Sequence, residues 1–139
     1  MTLTRLNTVF RAIEGIERQV PGVVLTYDHE PDSVANVPCM INEYVRSTYQ
    51  NAPNMLISSH TINLHLLVHK ASEKQMSMRL RDLVTAVLEV FNSHITLDDT
   101  VTHSSIISST ATGYDSGGVM YRGVRFELLT TLKEAVVYA

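Results

Sequence analysis

Thr61-Ile62-Asn63-Leu64-His65-Leu66-Leu67-Val68-His69 is followed within a few residues by Met76-Ser77-Met78-Arg79-Leu80-Arg81-Asp82-Leu83-Val84-Thr85-Ala86-Val87-Leu88-Glu89-Val90-Phe91, and the change of rhythm between them decides the fold class. In the first stretch Ile62, Leu64, Leu66 and Val68 alternate with Thr61, Asn63, His65 and His69. That period of two belongs to a strand with one face buried. In the second stretch Met76, Leu80, Leu83, Val84, Val87, Leu88 and Phe91 return every three or four residues, which is one apolar face of a helix. Ser72-Glu73-Lys74-Gln75 lies between them and reads as a capping box, in which the Ser hydroxyl and Gln amide satisfy free backbone groups.

Toward the N-terminus, Leu3, Leu6, Phe10, Ile13 and Ile16 or Glu17 predict a first amphipathic helix, capped by Thr2 or Thr4 and stopped by Pro21-Gly22. Val23 to Tyr27 is a short β-branched strand, and Asp28 to Pro38, with its two prolines, is a loop. A further strand is expected from Cys39 to about Tyr44. Ser47 to Ser59, containing Gln50-Asn51-Ala52-Pro53-Asn54, reads as a long polar connection. Toward the C-terminus, Thr102 to Ala111 is a strand rich in Ser, Thr and Ile, Thr112 to Gly118 a turn, and Tyr121 to Leu132 a long strand. In that last strand Val124, Phe126, Leu128, Thr130 and Leu132 share a face, and Gly123 suggests a bulge or kink. The order α-β-β-β-α-β-β predicts an α+β fold: a mainly antiparallel sheet with a long hairpin, packed against two helices.

Composition narrows the function. The 139 residues are 45% hydrophobic and 18% charged, and suit one domain over residues 1–139. A formal charge of −3 argues against a protein that coats nucleic acid through phosphate contacts. One cysteine, Cys39, cannot form an internal disulfide and reads as a buried apolar side chain. No apolar run approaches the ~20 residues that span a bilayer, and Met1-Thr2-Leu3-Thr4-Arg5 has no signal-peptide character, so a soluble, cytoplasmically made protein is expected.

No stretch carries a convincing catalytic or metal motif. His65 and His69 on a strand stand ~13 Å apart, too far to chelate one ion. His29-Glu30-Pro31-Asp32 reads as a solvated turn. Gly113-Tyr114-Asp115-Ser116-Gly117-Gly118 looks like two nucleophile loops at once. One is the Asp-Ser-Gly-Gly of chymotrypsin-type proteases, for which the chain is too short. The other is the Asp-Ser-Gly of small homodimeric aspartic proteases, which would use Asp115. The plainer reading is a hairpin turn. No catalytic residue, metal or cofactor is therefore expected. Between Arg81 and Arg122 there is no Lys or Arg, so the hairpin begins as an uncharged or acidic, Ser- and Thr-rich arm suited to adding its edge to another sheet.

Size and element order resemble the tail terminator proteins of long-tailed bacteriophages. The specific part is the C-terminal half. There the helix Met76 to Phe91 leads into His94-Ile95-Thr96-Leu97-Asp98-Asp99-Thr100-Val101, the hairpin, Tyr121-Arg122-Gly123-Val124-Arg125-Phe126-Glu127-Leu128, and Glu134-Ala135-Val136. That family implies a ring, typically of six copies, at the head-proximal end of the tail tube in the virion, assembled in the host bacterial cytoplasm. It implies as partners further copies of the chain, the tail tube protein and a head-completion or connector protein. It implies no membrane and no sequence-specific nucleic acid, although genomic DNA would pass through the ring. Related neck proteins that close the head share parts of the fold, and a ligand-binding α+β module is a further alternative. Tyr49, Asn54 and Tyr114 are the expected interface anchors, and Asp98, Asp99 and Asp115 the acidic interface candidates expected to line the lumen.

Overall fold

The computed structural model describes residues 3–68 and 73–136. Helix α1 (Leu6–Glu17) is followed by β1 (Leu25–Tyr27), β2 (Cys39–Ala52), β3 (Met55–Val68), α2 (Glu73–Asn92), β4 (His103–Ser116) and β5 (Val119–Ala135). The strands form one sheet in the order β1-β2-β3-β5-β4. Only β1 and β2 run parallel; the other three ladders are antiparallel. This is the α+β class and element order expected from the sequence.

Alternation places the core. Ile62, Leu64, Leu66 and Val68 of β3 lie beside Val124, Phe126, Leu128 and Leu132 of β5, buried under the helices. Val9, Phe10, Ile13 and Ile16 of α1 and Leu83, Val87 and Phe91 of α2 close over them. Burying such side chains contributes ~1.5–3 kcal/mol each, and this layer is where the fold finds most of its stability. On the opposite face, Val37, Cys39, Ile41 and Leu67 form a second, small cluster with Leu25, Tyr27, Val34, Tyr114 and Tyr121.

Several expectations are corrected. The segment Ser47 to Ser59 is not a connection: β2 runs on to Ala52, and only Pro53-Asn54 turn before β3 begins at Met55. Asn54 supplies the left-handed conformation the turn needs (φ 57°). The second turn is likewise shorter than the sequence suggests, since Thr112 to Ser116 belong to β4 and only Gly117 and Gly118, both with positive φ, reverse the chain. Gly123 is neither bulge nor kink. Its partners on β3 and β4 are in regular register, and a Cβ there would stand 2.4 Å from the Leu66 carbonyl oxygen. A close backbone approach is therefore what requires glycine.

The first helix begins later than its apolar pattern, leaving Leu3 exposed outside it. Arg5 is its N-cap and makes no side-chain cap; the Thr4 N–H and hydroxyl instead donate to Glu134 Oε2, at 2.9 and 3.2 Å, which ties the start of α1 to the end of β5. Thr2, His69 and the capping box at Ser72 lie outside the described residues, as does the Met76 side chain.

One polar pair is built into the helix–sheet interface. Glu17 is fully buried, and Asn42 Nδ2 donates to its Oε1 at 2.7 Å. Burial pushes the Glu17 carboxyl up to about 8, against the pull of the Asn42 bond, so it is neutral at pH 7.

Candidate functional site

The six residues singled out in the sequence divide between two ends of the sheet. Tyr49 lies on β2, 63% exposed, its ring edge-on to His60 at 6.5 Å. Asn54 is at the β2–β3 turn, and its carbonyl accepts the Val136 N–H at 2.9 Å. Asp98 and Asp99 sit near the same end, in the connection from α2 to β4. With Leu97 they form three successive left-handed residues (φ 46°, 54° and 64°). Such a run costs ~1–2 kcal/mol per residue for an ordinary side chain and less for Asp. Complete burial of Leu97 offsets it, and the Thr100 and Val101 N–H groups both close onto the Thr96 carbonyl at 3.1 Å. Asp98 is held by His94 (3.0 Å), and the Asp99 N–H donates to the Thr96 hydroxyl (3.3 Å). Asp99, Lys133, Glu134 and Thr4 line one shallow hollow.

Tyr114 and Asp115 are at the other end. Both are strand residues of β4 rather than turn residues, and Asp115 faces Met120 across the ladder. From the row of Tyr49 (Ser58 and Leu132) to that of Asp115 is twelve residues of β5, roughly 40 Å at ~3.4 Å per residue. Asp98, Asp99 and Asp115 therefore cannot line one patch on one copy; they lie at opposite ends of the sheet. Asp115 is exposed, without the apolar surroundings that let paired carboxylates share a proton.

No local pattern in the sequence points to the polar cluster on the helix-free face. Glu43 Oε1 accepts from Asn63 Nδ2 and His65 Nε2, both at 3.1 Å, and the His65 ring packs against Tyr114 at 5.1 Å. Glu30, from the loop before β2, bonds to the Glu43 carboxyl, and this contact raises Glu30. Burial pushes Glu43 up as well, but the bonds from His65, Asn63 and Glu30 outweigh it and hold that carboxyl below its usual range. A second chain of bonds runs from Tyr44 Oη to Ser47 Oγ to His60 Nδ1, 2.6 Å at each step. Burial lowers the His60 pKa, which favours the neutral ring. Among the described residues no carboxylate accepts a hydrogen bond from His60, so Ser47 and His60 lack the orienting third member of a nucleophilic triad. Among the described residues, too, no three His, Cys, Asp or Glu side chains gather as a metal cage, and no helix is long and apolar enough to cross a membrane.

What stands out is surface left unpaired. Strand β1 covers the edge of β2 only at Cys39, Met40 and Ile41. Beyond Glu43 that edge has no neighbour among the described residues, and both faces of the strand open: Tyr44, Val45 and Tyr49 are 48%, 45% and 63% exposed. On the far side of the sheet, β5 is the one strand beside β4 among the described residues; Ser104 donates its N–H and hydroxyl to the Ile95 carbonyl, at 2.7 and 2.9 Å, and from Ser105 onward the outer edge has no strand against it. No Lys, Arg, Asp, Glu or Pro falls from Ser104 to Tyr114, so that edge lacks the charges that usually deter pairing. Between helix and sheet, where a ligand-binding module would have its pocket, open hollows of about 360 and 520 Å³ lie at the margins of the core, one between Phe10 of α1 and Asn42 and Tyr44 of β2, the other between Leu80 of α2 and Gly113 and Met120 of the hairpin. A protein-family model scan and a comparison with curated proteins found no match to the chain.

Proposed function

We propose that this chain is a structural assembly subunit of the phage tail-terminator kind, closing into a ring that caps the head-proximal end of a tail tube and offers the head its docking surface. The observation that carries the reading is the outer half of β2: from Tyr44 to Ala52 it is held along one edge and exposed on most positions of both faces. Such a strand gives its own chain little stability, and a neighbour that covers it gains aromatic and aliphatic area. A ring closed by heterologous contacts then has two unlike rims. The β2–β3 turn with Tyr49, Asn54, Asp98 and Asp99 belongs to one, and the β4–β5 turn with Asp115 to the other. Two unlike rims are what a cap requires, because one must match the stacking surface of the tube while the other refuses the next tube ring.

The deciding experiment is electron microscopy of lysates from a phage lacking the gene. Headless tails of excessive or variable length are expected. Normal-length tails beside unattached heads would move the protein to the head-closure side of the neck, and intact infectious particles would overturn the assembly reading.

A further inference from the structure

The two bare edges of the sheet carry the same irregularity at the same height. Tyr44, Ile62, Leu128 and Ile106 form one row across β2, β3, β5 and β4. On one side of this row β2 holds an extra residue, Val45, between Tyr44 and Arg46; on the other side β4 holds an extra residue, Ile107, between Ile106 and Ser108. Both bulge residues are large, apolar and exposed, Val45 by 45% and Ile107 by 54%. A bulge on one edge ordinarily throws a docking strand out of register. Two bulges at matching height leave the register intact, because each strand spends six residues on the same five rows: Glu43 to Thr48 on one side, His103 to Ser108 on the other.

We infer that Ser105–Ser108 of one copy pairs with Glu43–Arg46 of the next, extending the sheet from subunit to subunit with Ile107 opposite the neighbour's Tyr44 and Ile106 opposite its Val45. This rests on the ring reading and names its seam. The sense of the strands suits it: β2 is antiparallel to β3, β3 to β5 and β5 to β4, so copies standing the same way up bring β4 antiparallel to β2. Charge suits it as well. Glu43 and Arg46 of the incoming strand meet serines at the same height, Ser108 and Ser105, and no like charge opposes them. A pairing of β4 with a second β4 would instead be two-fold and would leave β2 bare.

The test is disulfide trapping with Tyr44→Cys and Ile107→Cys, both at exposed positions, since the native Cys39 is buried. Mild oxidation of the full chain carrying both changes should give a ladder of covalent multimers on a non-reducing gel, and a mixture of the two single variants should stop at dimers. Each single variant alone should remain monomeric. Rapid dimerisation of Ile107→Cys alone would assign β4 to a two-fold contact and overturn the seam, as would the absence of any ladder from the double variant. As a second readout, Ile107→Lys should lower the assembled fraction at least tenfold with an unchanged unfolding midpoint, and adding Tyr44→Glu in the same chain should restore it. Rings seen by microscopy without the ladder would overturn the seam and leave the ring reading standing. A ladder from a protein whose loss leaves tails normal would support the seam and overturn the tail function.

Discussion

Strands β3 and β5 lie at the centre of the sheet and β2 and β4 flank them, and the two pairs obey different rules. Along β5 buried positions alternate with more open ones, and along β3 every position after Met55 is buried or half-buried, because each strand has neighbours on both edges and helices over one face. Along the outer half of β2 and most of β4 the alternation is lost, and both strands bulge beside the same row. The inner pair is therefore specified by this chain's own core. The outer pair is only half specified by it, which is the pattern of a surface completed from outside.

The largest expected effect separates the pairs directly. Phe126→Ala, at a fully buried position of β5, should cost about 3–5 kcal/mol in a urea titration. A loss below about 1 kcal/mol would mean that the inner strands are not the keel of the fold.

The next effect falls at Asn42, where β2 passes from covered to bare. Its buried partner Glu17 has a carboxyl raised from 4.5 to about 8, so the unfolded chain releases this proton first as pH rises. Stability is then complete below pH 4.5, falls between 4.5 and 8, and is flat above. Between pH 5 and 8 the loss from this group is about 3–4 kcal/mol. Glu17→Gln keeps a neutral side chain of the same shape, and should match the parent near pH 5 while unfolding at a higher temperature near pH 8. An unchanged pH profile would remove the claim that Glu17 folds with its proton on.

Gly123→Ala should cost about 1–3 kcal/mol, since the obstructing atom is a backbone oxygen that cannot swing away. The smallest effect is expected at Ile107→Ala, within about 0.5 kcal/mol for the isolated chain. A larger loss, measured by dilution-independent thermal unfolding, would show that the bulge serves its own subunit.

The same contrast explains what could be read in the sequence. Helix α2, strand β3 and the inward face of β5 are legible because burial imposes a period on them. Residues Ser47 to Ala52 have no period, and Gln50, Asn51 and Asn54 are turn formers, so a strand exposed on both faces passes for a loop. Tyr114 and Asp115 are misread for a related reason: with Gly113 and Gly117-Gly118 around them, six residues look like a turn that in fact needs two. The Glu30–Glu43–His65 cluster was out of reach altogether, since it joins a loop to two strands through a register no local pattern encodes. Tyr49 and Asn54, expected as interface anchors, both lie exposed, on a strand and a turn that read in the sequence as one polar connection.

Cys39 has one more consequence. It is wholly enclosed at the start of β2, beneath the loop that precedes it, and burial pushes its thiol up to about 12. A thiol reagent added to the native protein finds nothing to attack until that corner of the sheet opens. The chain's single sulfhydryl is therefore a clock: its labelling rate at neutral pH counts openings, one subunit at a time, and a ring whose seam lies against β2 should run that clock more slowly than a lone copy.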